Sequence, residues 1–230
     1  MKKIVVAAVC AVMVLVSVSA FAESLKEIQA KAKQGDSEAQ YTLGNMYYRG
    51  EEVKQSYSEA VKWYRKAADQ KHIGAQYNLG VMYYEGRGVK KSYSEAVRWY
   101  RKAAQQGDDD SQYNLGNMYF RGEGVKQNYS EGVKWWRKAA DQGQSQAPYN
   151  IAQAYYNGQG VEQSYSEAAK WLRKAAENGD ADAQYNMGVL CYEGQGVEQD
   201  PAEAVKWFKM AAQNGNESAQ NALKQLGETW

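Results

Sequence analysis

Histidine and cysteine, two residue types that often support catalysis, are scarce in this sequence. Its single histidine, His72, lies in a predicted turn between helical segments, where later segments carry Asp108 and Asp180. We expect His72 to cap a helix or to lie exposed in the turn rather than to act as a base. One histidine and Cys191, the one cysteine outside the N-terminal apolar segment, are too few for a zinc site. The sequence therefore predicts no catalytic residue, no metal site and no cofactor.

A paired-glycine pattern could suggest a phosphate-binding loop. The pattern Gly86-x-Gly88 recurs at Gly122-x-Gly124, Gly158-x-Gly160 and Gly194-x-Gly196. A dinucleotide-binding loop follows a strand and carries a third glycine, whereas this pattern follows a predicted helix and has two. We interpret it as a connection between helices.

The residues most suited to binding are aromatic. Within the predicted helix that contains Ala75, Tyr77 and Tyr84 lie 180° to 240° around the helix from the apolar stripe, where charged residues are usual. Tyrosine offers a large contact area, few rotatable bonds and a hydroxyl, which suits recognition surfaces. An alternative is that some of these rings only pack against the next repeat. The residues of this predicted groove, followed along the chain, are Tyr41, Asn45, Tyr48, Tyr77, Tyr84, Tyr113, Asn117, Phe120, Tyr149, Gln153, Tyr156, Tyr185 and Tyr192.

These recurrences have a period of 36 residues. Gln40, Gln76, Gln112, Gln184 and Gln220 are in register, with Pro148 at the fourth position. Such a period indicates a solenoid, because one repeat cannot bury its apolar face without its neighbours. We predict one all-α domain, with repeats at 37–72, 73–108, 109–144, 145–180 and 181–216. A capping helix at 23–36 precedes them, and another at 217–230 follows.

Each repeat is predicted to contain two amphipathic helices. Ala75, Leu79 and Met82 share a face of the first, and Ala96 and Tyr100 share a face of the second. Tryptophans recur on the predicted buried face of the second helices, at Trp63, Trp99, Trp135, Trp171 and Trp207. The first helices should line the concave side of the solenoid, so that the aromatic residues above form a groove.

Helix ends carry clear signals. Ser92 followed by Glu95 predicts a capping box, in which the serine accepts a backbone amide and the glutamate returns to the cap residue. Gly86 and Gly107 predict left-handed C-terminal caps. The same cap pair recurs as Ser56 with Glu59, Asn128 with Glu131, Ser164 with Glu167 and Asp200 with Glu203.

Residues 1–22 resemble a signal peptide. Lys2 and Lys3 precede an apolar run, and Ala20-Phe21-Ala22 supplies a small-x-small cleavage site. We expect cleavage before Glu23, a periplasmic or secreted protein, and no membrane span after cleavage; an uncleaved anchor is the alternative. Cleavage would lower the formal net charge from +1 to −1. A nearly neutral chain gives no electrostatic argument for nucleic acid as a partner.

The repeated pattern A-Q-Y-N-L-G-x-M-Y-Y-x-G-x-G-V, followed by S-E-A-V-x-W-Y-R-K-A-A-x-x-G, resembles the Sel1-like repeat, a relative of the tetratricopeptide repeat. The resemblance implies a right-handed α/α superhelix that acts as an adaptor in protein complexes and, in secreted bacterial members, contacts envelope or host components. Departures from the pattern lead us to expect less regular packing in repeats one and four. These departures are Glu52, Lys71-His72, Gly132 and Ile151-Ala152.

Two functions remain at this stage. The first is an exported, non-enzymatic scaffold that binds a protein or peptide segment in the tyrosine-rich groove, in envelope assembly or host contact. The alternative is an enzyme active on β-lactams or the cell wall, by analogy with cysteine-rich relatives. Those relatives have a disulfide in each repeat, whereas Cys191 here replaces a core tyrosine and is predicted to be buried and unpaired.

Overall fold

The computed structural model describes residues 25–230, which form twelve helices and, within that range, no strand. Residues 1–24, with the predicted signal peptide and its cleavage site before Glu23, lie outside the described residues. The helices are α1 (25–34), α2 (Ser37–Arg49), α3 (Tyr57–Asp69), α4 (Ile73–Glu85), α5 (Tyr93–Gln105), α6 (Asp109–Arg121), α7 (Tyr129–Asp141), α8 (Ala147–Asn157), α9 (Tyr165–Glu177), α10 (Ala181–Glu193), α11 (Pro201–Gln213) and α12 (Glu217–Gln225).

The described chain divides into two compact units. Residues 25–102 contain α1 to α4 and most of α5, and residues 103–230 contain the end of α5 and α6 to α12. Within each unit the two helices of a repeat pack together, and the second helix of one repeat packs on the first helix of the next. This pairing confirms the prediction of an all-α solenoid built from helix-pair repeats.

Second helices begin at the predicted cap residues, but half of the predicted capping box is wrong. Ser56 Oγ accepts the Glu59 amide at 3.3 Å, as expected. Glu59 does not return to Ser56; its carboxylate lies 2.6 Å from Lys62 Nζ. The Ser56 amide instead donates to the Tyr47 carbonyl at 2.9 Å, because the loop brings it against the end of the preceding helix. The corresponding bond recurs at the cap residues Ser92, Asn128, Ser164 and Asp200.

His72 is a helix cap, which was the first of its two predicted roles. Its Nδ1 accepts the Ala75 amide at 3.2 Å, and its Nε2 lies 3.0 Å from Glu38 Oε2. The ring also stacks on Tyr41, with the centroids 4.4 Å apart. In the equivalent helices the cap is the carboxylate of Asp36, Asp108 or Asp180. Each accepts the backbone amide three residues further on at 2.7 Å.

Left-handed backbone occurs where the sequence predicts it. Gly86 and Gly107 have φ of 78° and 98°. Glu52 and Lys71, which stand where other repeats have glycine, adopt φ of 58° and 67° all the same. A residue with a side chain costs about 1 kcal/mol in this conformation. The backbone at Glu52 and Lys71 is therefore strained, but it follows the same path as the glycine-containing turns of the other repeats.

The tryptophans are buried less uniformly than predicted. Trp99 and Trp207 are buried, but Trp63, Trp135 and Trp171 are only half-buried. The position after the tryptophan lies deeper than the tryptophan in four repeats, whereas in repeat two Trp99 and Tyr100 are 1% and 3% exposed. This following position is buried in all five repeats, where it is Tyr64, Tyr100, Trp136, Leu172 or Phe208.

A glycine on the first helix makes room for this buried ring. A Cβ at Gly44 would lie 2.5 Å from Tyr64 Cδ1, and one at Gly116 would lie 2.4 Å from Trp136 Cδ1. Both distances are below any real contact between carbon atoms, so ring and glycine require one another. In repeat four Ala152 replaces the glycine and Leu172 replaces the ring, and both are buried.

Buried glutamines join successive repeats. In the first unit, Gln76 Nε2 donates to the Ala68 carbonyl at 3.1 Å. In the second unit, Gln112 Nε2 donates to the Ala104 carbonyl at 3.2 Å, and its Oε1 accepts from Gln142 at 2.8 Å. Such bonds satisfy carbonyls at the ends of the second helices, which have no intrahelical partner.

Pro148 cannot form this bond, and other residues replace it. Lys174 Nζ donates to the Ala140 carbonyl at 3.2 Å, in place of the missing glutamine amide. Gln144 Oε1 accepts the amides of Gln146 and Ala147 at 2.8 and 2.9 Å, which caps α8. Repeat four therefore keeps its polar backbone groups satisfied by different side chains.

Candidate functional site

The thirteen predicted groove residues lie on the accessible face of the first helices, which we call the tyrosine face. They occupy α2 and α4 in the first unit and α6, α8 and α10 in the second. None of them is fully buried, and Tyr156 and Tyr192 are 39% and 44% exposed. The face is therefore available in each unit, although several of its rings also make contacts within the protein.

In the first unit the tyrosine face contains an oriented amide. Tyr64 Oη donates to Asn45 Oδ1 at 2.8 Å, and Asn78 Nδ2 lies 3.3 Å from the same oxygen. Burial raises the pKa of Tyr64 above its ordinary value, so its hydroxyl remains protonated and can donate. The Asn45 oxygen is thereby held against the core.

The second unit repeats this arrangement with a different ring. Trp136 Nε1 donates to Asn117 Oδ1 at 3.0 Å, and Asn150 Nδ2 lies 3.3 Å from that oxygen. An indole N–H can only donate, so it fixes the orientation of the Asn117 amide. The Asn117 oxygen is therefore occupied by donors from α7 and α8.

The outer rings of the tyrosine face pack partly within their own repeats. Tyr48 and Tyr57 have centroids 5.3 Å apart, and the corresponding second-unit pair of Tyr156 and Tyr165 is 5.1 Å apart. The Phe120 ring packs against a buried residue, because its centroid lies 4.7 Å from that of the Trp136 ring. Such contacts hold the rings in place, which lowers the entropic cost of binding a partner.

Three cavities open on the tyrosine face, each between successive first helices, and we name each after its buried residue. The Tyr64 cavity has a volume of about 290 Å³ and is lined by Tyr41, Asn45 and Tyr77 among others. The Trp136 cavity, lined by Asn117 and Phe120, is smaller at about 160 Å³. The Leu172 cavity, lined by Gln153 and Tyr156, is larger at about 340 Å³.

Sequence reasoning missed the asparagines that organise this face. Asn78 and Asn150 bridge neighbouring first helices through the amides described above, and Asn186 Nδ2 donates to Tyr149 Oη at 3.2 Å. Each directly follows a groove tyrosine, in the repeated A-Q-Y-N segment or, for Asn150, in its A-P-Y-N counterpart. A polar residue recurring beside a core stripe was the signal that could have identified them.

The candidate chemical groups take structural roles. His72 caps α4, and Cys191 is buried and, as predicted, unpaired. Burial raises the pKa of the Cys191 thiol, which disfavours the reactive thiolate. Within residues 25–230, no three His, Cys, Asp or Glu side chains converge as a metal site would require. None of the helices described above has the length and apolar character needed to cross a bilayer.

Comparison with known proteins identifies the repeats. The Sel1 repeat matches the chain five times, at residues 37–72, 73–108, 109–144, 145–180 and 181–216. No curated protein gave a significant match. Two solved structures are similar over 88% of the chain: a protective antigen of uropathogenic Escherichia coli with an SLR fold (40% identity, TM-score 0.84) and a Sel1 repeat protein from Oxalobacter formigenes (35% identity, TM-score 0.74).

The two relatives differ in length relative to this chain. The matched region is 89% of the Oxalobacter protein but only 44% of the Escherichia coli antigen, so the chain spans less than half of that protein. The five matched repeats account for most of the sequence, and their helix pairs are those seen in the fold. The chain belongs to the Sel1 repeat family, whose members are generally scaffolds for protein interactions.

Proposed function

We propose that the protein is an exported, non-enzymatic scaffold that holds a protein or peptide segment against the tyrosine face. The observation that supports this most is the orientation of Asn117, which lines a cavity on the tyrosine face and whose oxygen is occupied by Trp136 and Asn150. Its NH₂ group is then the part of the amide that can donate to a bound segment. A backbone carbonyl of an extended segment is the natural acceptor for such a group, and the neighbouring rings supply apolar contact area.

Export is proposed from the sequence alone. The basic start, the apolar run and the small-x-small site of residues 1–22 support it. An exported scaffold would meet partners in the envelope or at the surface of a host cell. Mass spectrometry of the protein purified from its own cells should find Glu23 as the first residue; an intact Met1 in the membrane fraction would contradict export.

Site-specific photocrosslinking tests the binding face. A photoreactive phenylalanine analogue placed at Tyr156 or Tyr192, which are the most exposed rings of the tyrosine face, should capture a discrete partner from envelope or host-cell extracts. The same analogue at Lys134 or Lys170 is the matched control, because both side chains are 70% exposed on second helices. Capture from the lysine positions alone would place the binding surface on the second helices.

Partner affinity provides the second test. Tyr113→Ala and Tyr156→Ala should each weaken binding of the captured partner by more than tenfold if the rings are central anchors, since such anchors contribute about 2 kcal/mol or more. Helicity should not change. The enzyme alternative is tested separately with nitrocefin, because turnover or stoichiometric acylation by pure protein would contradict a non-enzymatic role.

A further inference from the structure

The Leu172 cavity differs from the other two in what lies beneath it. In the first unit the buried ring of Tyr64 fills the corresponding position, and in the second unit Trp136 does so. In repeat four the side chain is Leu172, which has no ring. The cavity above it has a volume of about 340 Å³, compared with about 290 Å³ for the Tyr64 cavity and about 160 Å³ for the Trp136 cavity.

The protein cannot fill this space with a ring of its own. Ala152 stands where the other repeats have glycine, and a Cβ at that position meets a buried ring at 2.4 Å in the repeat of Trp136. A ring at residue 172 would therefore clash with Ala152. The pair Ala152 and Leu172 keeps α8 and α9 packed at the base and leaves the space open towards the tyrosine face.

The polar group above the cavity has also lost its donor. Asn45 and Asn117 each accept a hydrogen bond from the ring of their own repeat, Tyr64 or Trp136. Gln153 occupies the same register in repeat four and lines the Leu172 cavity. Leu172 has no donor to offer it. An exposed carboxamide thus lines a cavity with mixed apolar and polar walls, the latter including Asn157 and Asn186, and lacks the aromatic N–H or O–H donor found in two sister repeats.

We propose that the Leu172 cavity binds a tryptophan or tyrosine side chain of a partner polypeptide, whose N–H or O–H donates to the Gln153 carboxamide. This inference deepens the proposed scaffold function and rests on it. The partner would supply the ring that repeat four lacks, against Leu172, Val189 and Ala152. The volume is at the lower end of small-molecule pockets, about 300 to 1,000 Å³, which suits one side chain.

Blocked amino acids test the chemistry without any knowledge of the partner. N-acetyl-tryptophanamide titrated into the ¹⁵N-labelled protein should shift the amide signals of Leu172 and Val189 and the side-chain NH₂ of Gln153, with millimolar affinity. N-acetyl-phenylalaninamide lacks the ring donor and should bind about 2- to 10-fold more weakly, as expected for one hydrogen bond. Equal binding of the two probes, or no shift at these residues, would overturn the proposal.

Variants separate the cavity from the carboxamide. Gln153→Leu should reduce tryptophan-probe binding to the level of the phenylalanine probe and leave the latter unchanged. The double variant Ala152→Gly with Leu172→Trp rebuilds the ring found in repeat three, where the cavity is only about 160 Å³, so binding should fall at least tenfold while the protein stays folded. Val189→Trp fills the cavity from α10 and keeps the test valid if the double variant does not fold. Probe binding retained by the folded filled variants would refute the site.

Probe binding and photocrosslinking test the ring site and the scaffold function separately, so one hypothesis can be refuted without the other. A partner crosslinked at Tyr156 together with an absence of probe binding would leave the scaffold function standing and remove the inference. Probe binding with no captured partner would support the ring site and count against the proposed scaffold function.

Discussion

Replacing Gln112 by alanine tests how much the buried glutamines contribute to joining the repeats. Its side chain is 4% exposed, and the change removes its bonds to the Ala104 carbonyl and to Gln142. The Ala104 carbonyl keeps one partner, the Gly107 amide at 3.2 Å, so it is not wholly unsatisfied. The lost bond should therefore cost about 1 kcal/mol, rather than the larger penalty of an isolated buried carbonyl.

Alanine keeps Cβ, so the change also removes one buried methylene group of Gln112, which adds about 0.8 kcal/mol of lost apolar burial. The total expected loss is about 2 kcal/mol in the free energy of unfolding. Urea unfolding followed by circular dichroism at 222 nm measures it, with the slope of the transition checked for loss of cooperativity between repeats.

Gln142→Ala is the matched control, because it removes the other end of the same hydrogen bond from an exposed side chain. Water can replace that bond, so the loss should stay below about 1 kcal/mol. A Gln112→Ala variant within 1 kcal/mol of the unchanged protein would refute the reasoning. So would equal losses for the two variants.

Three further predictions concern stability, each measured by the same urea titration. His72→Ala should cost about 1 kcal/mol through the lost cap, whereas His72→Asp should retain the stability, because aspartate caps the equivalent helices; equal losses for both would contradict the capping role. Ser111→Ala should stabilise by about 1 kcal/mol, since the fully buried hydroxyl finds no partner among the described residues, and a loss would reveal an unseen bond. Trp136→Ala should cost about 3 to 5 kcal/mol and Trp135→Ala clearly less, because Trp135 is half-buried; the reverse order would be incompatible with the packing.

Much of the fold could be predicted because its signals are local and repeated. The 36-residue period, the cap residues Ser56 and Asp200 and the left-handed Gly86 each depend on a few neighbouring residues. The partner of the Ser56 amide could not be predicted, since the carbonyl of Tyr47 reaches it only through the path of the loop.

The residues of the candidate site could be predicted from the sequence, but the depth of its rings and the hydrogen bonds between its helices could not. A rule of 100° per residue placed Tyr77 and Tyr113 on the face opposite the core, and they are partly exposed there. The same rule cannot resolve a difference of one position in depth, which is why Trp135 was expected to be the buried ring of its helix. The hydrogen bond between Trp136 and Asn117 joins two helices, so only the packed structure shows it.

The pairing of Ala152 with Leu172 also implies an order of mutational steps. If repeat four arose from a copy with glycine and a ring, alanine could not have come first, because its Cβ would have met the ring at about 2.4 to 2.6 Å, as in the copies that keep one. Leucine had to precede alanine, through a glycine–leucine intermediate that carried a void. A reversion would need the same two substitutions in reverse order, so a single substitution at residue 152 or 172 does not restore the ancestral pair. Divergence among copies of one repeat is in this place a two-step path with a fixed order.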